Sequence, residues 1–205
     1  MLTLIIIAIT VIVSILCFQN QDLFMKLSFS PYMVKSKNQT YRFFTHAFVH
    51  ADWSHLLINM FVLLSFGRIV EAYFGMVFEG KAIVYYILLY LGGILFSSLP
   101  AYWKHQHDPA YSAIGASGAV SAILFSSILF DPLSGIYIMF IPIPIPAFVF
   151  GFLYLAYEAY SAKKASDNIG HDAHFWGAMY GVTITLILDY NIGIRFVEQI
   201  RGIFN

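Results

Sequence analysis

Two residues suited to acyl transfer stand in separate apolar stretches of this chain. They are Ser117, in Gly115-Ala116-Ser117-Gly118, and His174, in Ala173-His174-Phe175-Trp176-Gly177. A serine hydroxyl is a weak nucleophile until a base takes its proton, and histidine is the usual base because its ordinary pKa lies near neutrality. A third constellation is His50-Ala51-Asp52-Trp53-Ser54-His55-Leu56-Leu57-Ile58-Asn59. His55 and Asn59 are four apart, so on a helix both side chains project to one side. Aimed at one point beside the backbone N–H of Ser117, they would stabilise the oxyanion of an acyl-transfer intermediate, each donor contributing roughly 3 kcal/mol. The pattern points to peptide-bond hydrolysis.

Plainer readings share the same residues. Gly115, Ala116, Ser117, Gly118, Ser121 and Ala122 form a small-residue surface of the kind that lets two helix backbones approach closely. Ala173, Gly177 and Gly181, four apart, make a matching face, and packing of the two faces would itself carry Ser117 towards His174. His174 satisfied by a backbone or serine group is the bland alternative. Asp172 lies on a different helix face from His174, and burying an ionised carboxylate is expensive, so a Ser117–His174 dyad without a carboxylate is expected. His46, His50, His55, His171 and His174 offer nitrogen ligands for a metal or haem. No His-Glu-x-x-His run occurs and no carboxylate has ligand spacing with a histidine pair on a span, so no metal is expected. His171, one turn before His174, reads as a span-end histidine facing the interface. Serine, histidine, water and backbone dipoles suffice for the chemistry, and no cofactor is implied.

The elements that must position these groups are membrane spans. The 205 residues are 60% apolar and 11% charged, far from the balance of a soluble domain. Continuous apolar runs, not alternating ones, point to helices of about 20 residues. They fall at residues 2–18, 54–77, 82–101, 115–131, 145–162 and 172–190, giving an all-α, six-span polytopic bundle in a single domain over 1–205. The first run has no basic n-region and no small-residue cleavage site, so an uncleaved anchor is expected. Cys17 reads as a small apolar side chain against lipid or a neighbouring helix, and one cysteine forms no internal disulfide. The connection 19–53 is rich in aromatics and suits a structure lying in the membrane interface. Pro142, Pro144 and Pro146 read as an extended structural turn. Within or near the spans stand His55, Glu71, Glu158, His171, Asp172 and His174, each a polar group that needs a reason to be there. Zero net charge gives no case for a nucleic-acid partner.

The ordered set Tyr41-Arg42, His50 with His55 and Asn59, Gly67 with Glu71 and Gly75, Gly115-Ala116-Ser117-Gly118, and Ala173-His174 with Gly177 and Gly181 resembles the rhomboid intramembrane serine proteases. The resemblance covers about residues 40–185. It implies a six-helix fold with Ser117 as nucleophile, His174 as base, and His55 and Asn59 as oxyanion donors. It also implies architectural roles for Arg42 and Glu71, substrates that are transmembrane proteins, and lipid as the surrounding partner. Inactive relatives have lost the serine or the histidine; this chain keeps both. Members often carry an aromatic one turn after the serine, where this chain has Ser121, so support for His174 is expected from elsewhere. A bacterial inner membrane is the expected location. The family's orientation, with the mouth of the site outward, puts Lys26, Lys35, Lys37, Arg42, Lys104, Lys163 and Lys164 outside, against the positive-inside rule. Two other classes compete: an inactive rhomboid-like scaffold that binds transmembrane clients, and a transporter, which the absence of internal repeats disfavours.

Overall fold

The computed structural model describes residues 1–137, 143–164 and 169–203. Helix α1 (Leu2–Gln19) is followed by three short helices, α2 (Gln21–Leu27), α3 (Pro31–Lys37) and α4 (Arg42–Thr45). Then come α5 (Trp53–Phe78), α6 (Ala82–His105), α7 (Ser117–Phe130), α8 (Ala147–Lys164), α9 (His171–Leu188) and α10 (Asn191–Arg201). A two-stranded antiparallel hairpin, β1 (Gly135–Ile136) with β2 (Ile145–Pro146), precedes α8. The turn expected at Pro142 lies outside the described residues; Pro146 pairs with Gly135 in that hairpin.

The burial pattern is that of a protein whose solvent is lipid. On α1 the polar Thr3, Thr10 and Ser14 are buried, while Leu4, Ile5, Ile9, Ile12 and Leu16 are exposed. Water would favour the reverse; lipid tails are as apolar as leucine, so small and polar groups turn inward to meet another helix. Cys17 is buried on this inner face. Helix α5 likewise buries Leu56, Asn59, Met60, Leu63, Gly67, Val70 and Phe74 and exposes Leu57, Ile58, Phe61 and Leu64. Glu71 clasps the start of α1, accepting from Thr3 Oγ1 at 2.8 Å, and Thr3 Oγ1 lies 2.8 Å from Tyr86 Oη of α6.

Among the described residues, two stretches are by themselves long and apolar enough to cross a membrane, Leu2–Gln19 and Trp53–His105, the second holding both α5 and α6. Helices α8 and α9 coincide with expected spans but carry Glu158, Lys163 and Lys164 in one and His171, Asp172 and His174 in the other. Of these residues, Glu158, His171 and His174 belong to the candidate site. Helix α10 lies beyond the expected spans and is an addition to the sequence reading.

Helix α7 is the hub. Twelve consecutive residues, Gly118 to Leu129, are buried, with α5, α6 and α9 packed around them. At 14 residues it is about 21 Å long, short of the roughly 30 Å of a bilayer core. The segment ahead of Ser117 is extended, and the first loop holds it. Phe29 and Ala113 exchange both backbone hydrogen bonds at 2.9 Å, and Gly115 N donates to His46 O at 2.9 Å. The loop is in turn tied by Arg42, which is buried and donates through Nη1 to Met25 O (2.8 Å) and Ser28 O (2.6 Å). A cation thus meets carbonyls at the end of α2, where the helix dipole favours it.

His46 belongs to the same knot, its Nδ1 3.0 Å from Arg42 O. Burial pushes its imidazole down to about 4. Because the unfolded group titrates near 6.5, the unfolded chain binds the proton first, so this part of the stability is intact above that pH and is lost as pH falls towards 4. Thermal unfolding of the purified protein is expected to show a lower midpoint at pH 5 than at pH 7. The His46 share is roughly 2 kcal/mol, and a His46→Gln variant loses part of that dependence.

Candidate active site

Ser117 is the first residue of α7. Gly115 takes φ 107° to turn the chain into the helix, a conformation that disfavours any side chain. Ala116 is the N-cap and makes no side-chain cap bond, so the first-turn N–H groups have no intrahelical acceptor and aim the positive end of the helix at the serine. Ser117 itself is half-buried.

The expected meeting of small-residue faces is present. A Cβ on Gly177 would run into the carbonyl of Gly118, and one on Gly181 into the backbone of Ala122; one on Gly118 would lie 3.3 Å from Ala173 O. The backbones flanking Ser117 and His174 therefore touch. No Ser117–His174 hydrogen bond occurs among the described residues, an open geometry usual in a substrate-free serine–histidine pair.

On the other side of Ser117, Asp52 caps α5 by accepting from His55 N at 2.8 Å, which fixes where the His55–Asn59 array begins. His55 Nδ1 accepts the Ala51 N–H at 3.4 Å, so the neutral ring carries its proton on Nε2. That edge lies over Gly115, where an added Cβ would sit 2.9 Å from Nε2. Asn59 is buried and donates one amide hydrogen to His55 O at 2.9 Å, leaving a second N–H on the same nitrogen. His50 packs edge-on to His55 with ring centroids 4.9 Å apart. Its Nδ1 lies 3.0 Å from Ser14 Oγ, whose own proton goes to Phe48 O, so His50 is the donor. Burial, with His55 alongside, pushes the His50 imidazole down to about 3 and keeps it neutral. His50 thus links α1 to the array.

The sequence reading missed the partner of His174. Glu158 of α8 reaches across to α9, with Oε1 3.1 Å from His174 Nδ1 and Oε2 2.6 Å from His171 Nδ1. The expectation that His174 lacks a carboxylate is corrected: Glu158 is buried, but with each oxygen on an imidazole it is a paired carboxylate. His171 is corrected as well, being 4% exposed and turned inward. Contrary to the expectation that no carboxylate has ligand spacing with a histidine pair, Glu158 meets His171 and His174, because it comes from another helix. Ligand atoms of Glu158, His171 and His174 lie within 4.8 Å of one another. Ser121, in the place of the expected aromatic, lies 3.0 Å from Tyr154 Oη, so α8 brings an aromatic to α7 at that level. Tyr154 and Glu158 are four apart and share a helix face.

The model of the Rhomboid domain matches residues 37–191. RHOMBOID-like protein 12, mitochondrial, of Arabidopsis thaliana is 32% identical over 149 residues, 65% of this chain and 42% of that protein. Rhomboid-related protein 2 of Mus musculus is 27% identical over 161 residues, 75% and 49% of the two chains. Rhomboid-related protein 1 of Caenorhabditis elegans is 26% identical over 175 residues, 81% and 45%. The matched region spans less than half the length of each of these relatives. They are eukaryotic, one of them mitochondrial, and lend no support to a bacterial inner membrane. With its apolar helices and a domain match over most of its length, this membrane protein belongs to the rhomboid family.

Proposed function

We propose that this chain is an intramembrane serine endopeptidase that cuts transmembrane proteins near the membrane interface, its six spans being α1 and α5 to α9. The observation that carries the reading is Ser117 at the open N-terminus of a short buried helix, with the His174 turn of α9 pressed against it through Gly118 and Gly177. Ser117 Oγ attacks the scissile carbonyl as His174 accepts its proton. His174 then returns the proton to the leaving amine and activates a water that hydrolyses the acyl-enzyme. The oxyanion forms beside the Ser117 N–H, His55 Nε2 and the second Asn59 N–H.

A regular transmembrane helix has no unpaired carbonyl to present, so the substrate is a helix that frays near the interface. It enters laterally, past α8 and the connection that follows it, where Lys163, Lys164 and Gly170 are described and Ser166 and Asp167 lie outside the described residues.

The test is incubation of the purified protein in detergent with a single-span model substrate and, separately, with a fluorophosphonate. The expected results are a cleavage product and one adduct, on Ser117. A protein that yields neither, yet retains a cross-linkable client, is the scaffold instead. His55→Ala and Asn59→Ala are each expected to lower kcat by about 10²- to 10³-fold with little change in KM, because an oxyanion donor acts in the transition state. Steady-state kinetics on the same substrate checks this.

A further inference from the structure

Glu158 is a buried carboxylate placed on the two histidines at the start of α9, and the serine–histidine chemistry described above makes no use of it. Its side chain is 5% exposed, with Oε1 3.1 Å from His174 Nδ1 and Oε2 2.6 Å from His171 Nδ1. An ionised carboxylate only accepts hydrogen bonds, so each Nδ1 must carry a hydrogen. For His174 this selects the tautomer with a free lone pair on Nε2, the nitrogen that must take the serine proton. The opposite tautomer would present an N–H there and could not act as base.

Burial adds an electrostatic reason. A carboxylate in this setting is costly unless paired, and its value is greatest when a positive charge develops beside it. That moment comes when His174 becomes an imidazolium. His171 has the second oxygen, at the shorter distance, and so fixes the rotation of the carboxylate while Oε1 faces His174. Tyr154, one turn earlier on α8, bonds Ser121 of α7 at 3.0 Å and sets the distance between the helix that carries the carboxylate and the helix that carries the nucleophile.

Resting on the protease reading, we infer that Glu158 is a positioning residue that orients His174 and balances the positive charge it acquires, with His171 as its clamp, so that the working unit is Ser117, His174 and Glu158. The same three residues, Glu158, His171 and His174, have the composition of a His₂-carboxylate metal site. The hydrogen-bonded reading is preferred because both Nδ1 atoms already face a separate carboxylate oxygen at hydrogen-bond distance.

The experiment measures kcat and KM for a single-span substrate, the rate of fluorophosphonate labelling of Ser117, thermal midpoint and bound metal, in wild type, Glu158→Gln and His171→Gln. The amide of Glu158→Gln offers one acceptor oxygen for two donors and no charge. The expected result is a kcat lower by about 10²- to 10⁴-fold with KM within about twofold, and slower labelling in proportion, in a folded protein. For His171→Gln, which loosens the clamp and leaves the carboxylate, the loss is about tenfold. Where Glu158→Gln does not fold, Glu158→Asp is read in the same way, since it keeps the charge and withdraws the carboxylate by one methylene. Wild-type kcat and labelling in a folded Glu158 variant overturn the inference and leave the protease reading standing. Stoichiometric bound metal, with activity lost to a chelator and regained with zinc, overturns it in favour of a metal centre. A wild-type protein that neither cleaves nor labels overturns both.

Discussion

Alanine at Ser117 or at His174 is expected to abolish cleavage of a single-span substrate, a loss of about 10⁶-fold in kcat. The two losses should be similar, and the double variant no worse than either single one, because nucleophile and base work as one unit and removing either leaves only binding and the oxyanion donors. Ser117 is half-buried at a helix start and makes no cap bond, so Ser117→Ala should leave the thermal midpoint close to wild type. His174→Ala strips one partner from a buried carboxylate and should unfold at a lower temperature, with His171 still in place to hold Glu158. Cleavage assays with a thermal melt of each sample check both expectations. Product that persists with Ser117→Ala would require another nucleophile.

The second large effect concerns packing. Valine at Gly181 or Gly177 is expected to separate α9 from α7, lowering stability by about 1–3 kcal/mol or more and activity by at least about 10²-fold. The reason is what the new side chain meets. At Gly177 a Cβ comes within 2.7 Å of the Gly118 carbonyl carbon, and at Gly181 within 2.7 Å of Ala122 Cα. Both are main-chain atoms of a helix that is enclosed on all sides, so no rotamer change relieves the overlap, and the His174 turn moves away from Ser117. Gly75 is the control: a Cβ there meets nothing within 4 Å, and alanine at that helical position is expected to be neutral or stabilising by up to about 1 kcal/mol. Thermal melts and cleavage rates of Gly177→Val, Gly181→Val and Gly75→Ala test the contrast.

Much of the arrangement was legible because lipid leaves few choices. Apolar runs had to be helices, and four-residue spacing of Gly177 and Gly181 against Gly118 and Ala122 had to be a close helix contact, as it is. The pairing of His55 with Asn59 followed from one helical turn. Glu158 was visible as a polar residue on a span, yet its partners were not, because they belong to another helix and no local periodicity reports on them. Depth alone held a usable signal. Glu158 stands shortly before the end of α8, and His171 and His174 open α9, so the three had to lie at a similar level. A buried carboxylate needs donors, and these histidines were the donors at that level. The first loop was legible as aromatic and embedded, whereas the tie between its helices α2 and α4 is made by Arg42 reaching Met25 O and Ser28 O, contacts that no spacing rule encodes. Ser121 was read as a loss of support for His174; the support comes instead from α8.

The 14 residues of α7 also act as a ruler. One end of the helix is set by Asp131, where the chain leaves it, and the other end is Ser117, so on the proposed protease reading the number of turns between them would set the depth at which a peptide bond is cut. Each added turn would lift Ser117 by about 5.4 Å towards the headgroups. Two proteins of this kind that differ by one turn in this helix would therefore cut the same transmembrane segment three or four residues apart, without any change in the residues that touch the bond.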